Sequence, residues 1–225
     1  RAAVLSDVDR WSERDADGQL TSRQASAYAN ARHVRDALAP RGEEPLEVLV
    51  YRPAAHSGDG AVAISVGDPD TADHVSVTVP GLTSETSSTA DNLARTYALH
   101  REAVAEHRGS VASVYWLDYD APSGNPVDPR DPLGQLDFAG VALTAKADAG
   151  GERLDDFIAG LHASDRGPAA HLTAIGHSYG STTLGHALQD GARVDEAILI
   201  GSPGQPEATA AALKIGRASC RERVS

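Results

Sequence analysis

Ser178 stands at the centre of Gly176-His177-Ser178-Tyr179-Gly180, between the apolar run Leu172-Thr173-Ala174-Ile175 and Ser181-Thr182-Thr183, which can open a helix. That pattern suits a nucleophile of acyl transfer. A strand that turns at once into a helix strains the backbone at the serine, and only small residues fit two positions away on either side, which Gly176 and Gly180 provide. The turn would hold the hydroxyl above a sheet. There the positive end of the following helix and the backbone N–H of Tyr179 can face a developing oxyanion.

Such a turn requires a sheet around it, and the rest of the chain supplies the elements. Residues 1–40 read as two amphipathic helices, the first with Val4, Leu5, Val8 and Trp11, the second with Ala25, Tyr28, Ala29, His33, Val34 and Leu38. Between them Asp15, Asp17, Gly18 and Thr21 have the spacing of a calcium loop, but Glu13 and Gln24 replace two of its ligands, so a plain Asp-Gly turn is the expectation and no metal is assigned. From Pro45 short strands begin: Leu46 to Tyr51, Ala61 to Val66, and Val75 to Val79 leading into Pro80-Gly81-Leu82-Thr83-Ser84. A helix follows, opened by a capping box at Ser88 to Asp91, carrying Leu93, Tyr97, His100 and Val104, and closed by Gly109. His100 and His107 read as packing or surface residues.

Val111 to Leu117 is then a buried strand, and Asp118 to Leu133 a Pro- and Asp-rich loop placed to wall a pocket or to connect as a solvated link. Helical segments are expected from about Leu136 to Ala149 and, past a break at Gly150-Gly151, to Ala163. The strand of the serine turn, its helix to about Gly191, and a last strand at Ala197 to Ile200 complete the series. Alternating strands and helices predict an α/β fold with a mostly parallel sheet and helices on both faces.

The 225 residues, 41% hydrophobic and 23% charged, suffice for one α/β core with an appendage. A net charge of −12 argues against nucleic acid as a partner, because phosphate contacts need surplus Lys and Arg. No apolar run approaches the ~20 residues of a membrane span. The single cysteine, Cys220, excludes an internal disulfide framework and a multi-cysteine metal site. With no methionine, position 1 is not a natural start, so any leader lies upstream and a cytoplasmic and a secreted location both stay open.

The strand order and the serine turn resemble the α/β-hydrolase fold from its first to its sixth strand, over roughly Pro45 to Pro206. More closely, G-H-S-Y-G-S-T-T, the V-P-G-L-T-S turn and the W-L-D-Y-D-A-P loop resemble an actinobacterial α/β-hydrolase family of unknown substrate, and the preference for Arg over Lys fits GC-rich coding of that kind. Some members of that family carry an N-terminal helical region like partners of type VII secretion, and residues 1–40 could be the end of one. The resemblance implies an oxyanion hole formed by the N–H groups of Leu82 and Tyr179, no cofactor, and a small-molecule acyl substrate.

The same resemblance exposes a deficit. In this fold the chain order is Ser, then Asp or Glu, then His. After Ser178 the sole histidine is His186, two turns along the following helix and aimed away from the hydroxyl. His177 precedes the serine and reads as a packing or pocket residue facing the opposite side. Glu207 is a candidate acid, whereas Asp195 and Glu196 fall at the wrong end of the sheet. The acid and base are therefore expected beyond about Leu213.

The segment from Lys214 to Val224 resembles a translated sequencing adapter, so the expected organisation is a helical segment at 1–40, an α/β-hydrolase domain at 45–213 cut after about its sixth strand, and an artefactual tail at 214–225. Three functions are carried forward: a serine acyl hydrolase of esterase or lipase type; a catalytically silent domain binding a ligand or a secretion-like helical partner; and a nucleotide-binding loop at Gly176 to Thr183. The last lacks the P-loop lysine and the G-x-G-x-x-G pattern.

Overall fold

The computed structural model describes residues 1–39, 44–122 and 145–204, together with the backbone of 217–221. Two helices come first, α1 (Ala2–Ala16) and α2 (Ser22–Ala37). Strands β1 (Leu46–Arg52), β2 (Ala61–Val66) and β3 (His74–Val79) follow, then helix α3 (Thr89–Glu106) and β4 (Val111–Leu117). Helix α4 (Ala145–Ser164), β5 (His171–His177), α5 (Tyr179–Asp190), β6 (Glu196–Ile200) and β7 (Arg217–Arg221) complete the order.

One seven-stranded sheet runs β1-β2-β4-β3-β5-β6-β7, antiparallel at β1/β2 and β2/β4 and parallel elsewhere. The chain moves one way from β3 to β4 and the other way from β4 to β5 and β6. Right-handed crossovers in opposite directions put their helices on opposite faces. Neighbouring side chains of β4 show the result: Tyr115 faces the side of Asn92 and Leu99 on α3, and Trp116 meets Phe157 of α4 at 6.2 Å. This is the mostly parallel arrangement that the sequence resemblance implies, with β3 and β5 adjacent at the centre. Their parallel pairing sets the turn after β3 beside the turn after β5. Among the described residues no helix is long and apolar enough to cross a membrane.

Several local details differ from the sequence expectations for physical reasons. The buried face of α2 is Ala27, Asn30, Ala31, Val34 and Ala37, while Ala25, Ala29 and His33 point to solvent. The Asn30 amide selects that face. It donates to the carbonyls of Pro53 and Gly58 at 2.8 and 2.6 Å, and its oxygen lies 2.6 Å from the Thr86 hydroxyl. A buried amide so engaged outweighs a few exposed alanines. The Asp17–Thr21 segment serves as punctuation: Gly18 adopts φ +65°, and Thr21 and Gln24 spend their side chains on a capping box for α2.

Helix α3 lacks the expected capping box; Ser88 makes no side-chain cap and its hydroxyl instead donates to the Glu85 carbonyl. It ends at Glu106, before Gly109. Helix α4 continues unbroken through Gly150-Gly151. A Cβ on Gly150 would lie 2.9 Å from both Thr183 and Tyr119, and one on Gly151 2.6 Å from His186, so these glycines let α5 pack closely. The expected helical residues 136–144 and most of the Pro-rich loop lie outside the described residues, as does Glu207.

His100 is 2% exposed on α3, and neither ring nitrogen has a hydrogen-bond partner among the described residues. Burial holds its pKa below the ordinary histidine value, against a smaller upward pull from Glu44. Below pH about 6.5 the unfolded chain binds a proton that the folded chain refuses, so stability falls as pH falls through that range. The thermal midpoint should drop between pH 7.5 and 5, and His100→Phe should flatten the dependence. An equal slope in the variant contradicts this account of His100.

Candidate active site

Ser178 follows the last residue of β5 and precedes the first of α5, with φ 52° and ψ −128°. A side-chain-bearing residue adopts that conformation only at a cost of about 1–3 kcal/mol, met here by the surrounding sheet. Its N–H donates to Ile200 O at 2.8 Å, extending the β5/β6 ladder into the turn. Its carbonyl receives both the N–H and the hydroxyl of Ser181, at 2.9 and 2.6 Å.

The glycines are required by contact. A Cβ on Gly176 would lie 2.5 Å from Ser181 Cα, and one on Gly180 2.3 Å from Pro80 O and 2.4 Å from Val79 O. Gly81, on the neighbouring turn, would place a Cβ 2.7 Å from Ser178 Cβ and 3.2 Å from its Oγ. Turns β3–α3 and β5–α5 therefore touch at the serine, which the sequence could show only as two separate glycine-containing motifs.

Ser178 and Leu82 share a cleft of about 650 Å³ between the carboxyl edge of the sheet and α3. Its floor is apolar, from Ile175, Leu99 and Ile200, and its rim carries Ser88, Asn92 and Arg95. Tyr179 is buried behind the serine. His177 is exposed and lines the same cleft as Ser178, so it does not face the opposite side as expected.

All nine histidines fall within the described residues, and none is hydrogen-bonded to Ser178 Oγ. His186 turns away, its Nδ1 3.2 Å from Asp148 of α4. Asp195 caps the far edge, accepting the Leu172 N–H at 2.8 Å. No group of three or more His, Cys, Asp or Glu side chains suited to a metal ion occurs among the described residues.

Sequence reasoning missed Tyr119, just past β4. It is 1% exposed, its ring is stacked between those of Trp116 and Tyr179, and its hydroxyl donates to Pro80 O at 2.6 Å. Burial drives its pKa well above the usual tyrosine value, with Tyr179 adding to the shift, so it remains a donor. A lone tyrosine in a loop has no periodic signature. The one signal available was an aromatic immediately after a buried strand.

The family described as alpha/beta hydrolase matches residues 56–220. The uncharacterized protein Rv2079 of Mycobacterium tuberculosis is 33% identical over 203 residues, which cover 86% of this chain and 29% of that protein. Mb0988c of Mycobacterium bovis, also uncharacterized, is 33% identical over 202 residues, covering 86% of this chain and 69% of its own. The chain thus spans under a third of the length of the first relative. Among solved structures, a lipase in its open form aligns with TM-score 0.37 at 18% identity, over 69% of this chain and 44% of the lipase. The esterase LipW of Mycobacterium marinum aligns with TM-score 0.32 at 17% identity, over 84% of this chain and 52% of its own.

Proposed function

Because the chain belongs to the alpha/beta hydrolase family, we propose that the natural protein is a serine-dependent acyl hydrolase, of esterase or lipase type, with Ser178 as its nucleophile. The observation that carries this reading is the strained backbone of Ser178, φ 52°, packed against Gly81 of the neighbouring turn. Strain of this kind persists where a side chain must be presented in one direction. Ser178 Oγ attacks the substrate carbonyl as a base removes its proton. The carbonyl oxygen becomes an oxyanion facing the N–H groups of Leu82 and Tyr179. Collapse expels the alcohol, which takes the proton from the base, and water then releases the acid from the acyl-enzyme.

In this reading the base and its acid partner come from outside the 225 residues, because none of the nine histidines is hydrogen-bonded to Ser178 Oγ. The cleft's apolar floor and polar rim suit a small acyl ester and need no cofactor. A second reading is favoured by the lack of a histidine bonded to Ser178 Oγ: a silent domain that binds a ligand or a helical partner. Short p-nitrophenyl esters separate the two. The natural-length protein should hydrolyse them, and the 225-residue chain should not. Turnover by the short chain at the same rate defeats the assignment of the missing partners.

A further inference from the structure

The segment from Asp118 to Pro122 is pinned at nearly every residue. The buried Asp118 carboxylate binds the Arg52 guanidinium and lies 3.1 Å from His56 Nε2. Tyr119 reaches Pro80 O, Asp120 accepts from Lys146 Nζ at 3.0 Å, and Pro122 O accepts the Thr83 N–H at 2.9 Å. Two of these five residues therefore hold the turn after β3. They hold it on both sides of Leu82, at Pro80 and at Thr83, and Thr83 itself sits at φ +59°.

The geometry of the peptide bond makes that hold directional. In a trans peptide the C=O of one residue and the N–H of the next point in opposite directions. The Gly81 carbonyl lies 3.3 Å from the Tyr119 hydroxyl, inside the protein. The N–H of Leu82, in the same peptide plane, must then point away from Tyr119, and Leu82 lines the cleft that contains Ser178. The Tyr119 ring is fixed in turn: Trp116 stacks on it at 6.0 Å with planes 3° apart, Tyr179 packs at 6.3 Å, and Gly150 leaves the space its Cβ needs. One ring thus touches the turn that carries Leu82 and the residue that follows Ser178.

We propose that Tyr119 is a positioning residue: its hydroxyl, held by the Asp118–Pro122 strap, orients the Gly81–Leu82 peptide so that the Leu82 N–H faces the reacting carbonyl. The proposal rests on the reading of Ser178 as nucleophile but is tested separately from it. Tyr119→Phe keeps the ring and removes the hydroxyl. In the 225-residue chain, exchange of the Thr83 amide should speed up about tenfold, while amides in the centre of β5 keep their protection. In the natural-length protein, kcat should fall about tenfold with KM within about twofold, as expected when a donor is misaimed without loss of substrate contacts. Tyr51→Phe, which removes the hydroxyl bonded to Asp7 far from the cleft, should change neither readout.

An unchanged Thr83 exchange rate overturns the proposal. So does a uniform loss of protection across the sheet, which would make Tyr119 a general packing residue. If the natural-length protein shows no Ser178-dependent turnover, the hydrolase reading fails, and the exchange result alone still decides whether Tyr119 holds the turn.

Discussion

Replacing Ser178 by alanine in the natural-length protein lowers kcat/KM for short p-nitrophenyl esters by at least about 10³-fold, the scale on which loss of a nucleophile acts in hydrolases. Ser178→Gly gives the same loss of turnover with a different effect on stability. Glycine adopts φ 52° and ψ −128° without the penalty borne by serine. The glycine variant should therefore be more stable than wild type by about 1 kcal/mol or more, and alanine should not be. Dead but stabilised is the signature of a residue whose strain serves chemistry. A glycine variant that is inactive and also less stable would mean that the hydroxyl is structural.

Gly180→Ala carries the largest expected cost to the fold. Its methyl group would be driven to 2.3 Å from Pro80 O and 2.4 Å from Val79 O. Both are backbone atoms at the end of a central strand, so no side chain can swing aside. A loss of about 4 kcal/mol is expected, in the range seen when a buried site is overpacked against backbone, which corresponds to a drop of about 10 °C in the midpoint for a chain of this size. Gly160→Ala is the matched control. It lies in α4 with nothing within 4 Å of the added carbon. There alanine favours the helix by up to about 1 kcal/mol, and the midpoint should hold or rise. Thermal unfolding of the two variants side by side checks the contrast, and equal behaviour would contradict it.

The strand series was legible because buried parallel strands write themselves as apolar runs: Val111 to Leu117 and Leu172 to Ile175 could hardly be anything else. Ser178 was legible because its two glycines stand at a fixed distance along the chain. What stayed hidden depends on contacts between distant segments. Gly150-Gly151 reads locally as a helix break; in the fold it is the flat surface against which His186 and Thr183 pack. The face of α2 was misread because alanines of near-equal hydropathy occupy both sides, and the deciding group is polar, the Asn30 amide bonded to Pro53, Gly58 and Thr86. Tyr119 acts across 39 residues of sequence on Pro80, and no spacing rule reaches that far. Local pattern thus located Ser178 and its turn, while the groups that hold the turn in place emerged only from packing.

Covalent labelling with a fluorophosphonate tests the central claim most directly, because an unactivated serine does not react with it at a useful rate. On the natural-length protein the account predicts one adduct per chain, on the peptide that contains Ser178, and none on the Ser178→Ala variant. Labelling at another residue, or a natural-length protein that folds and takes up no label at Ser178, would contradict it.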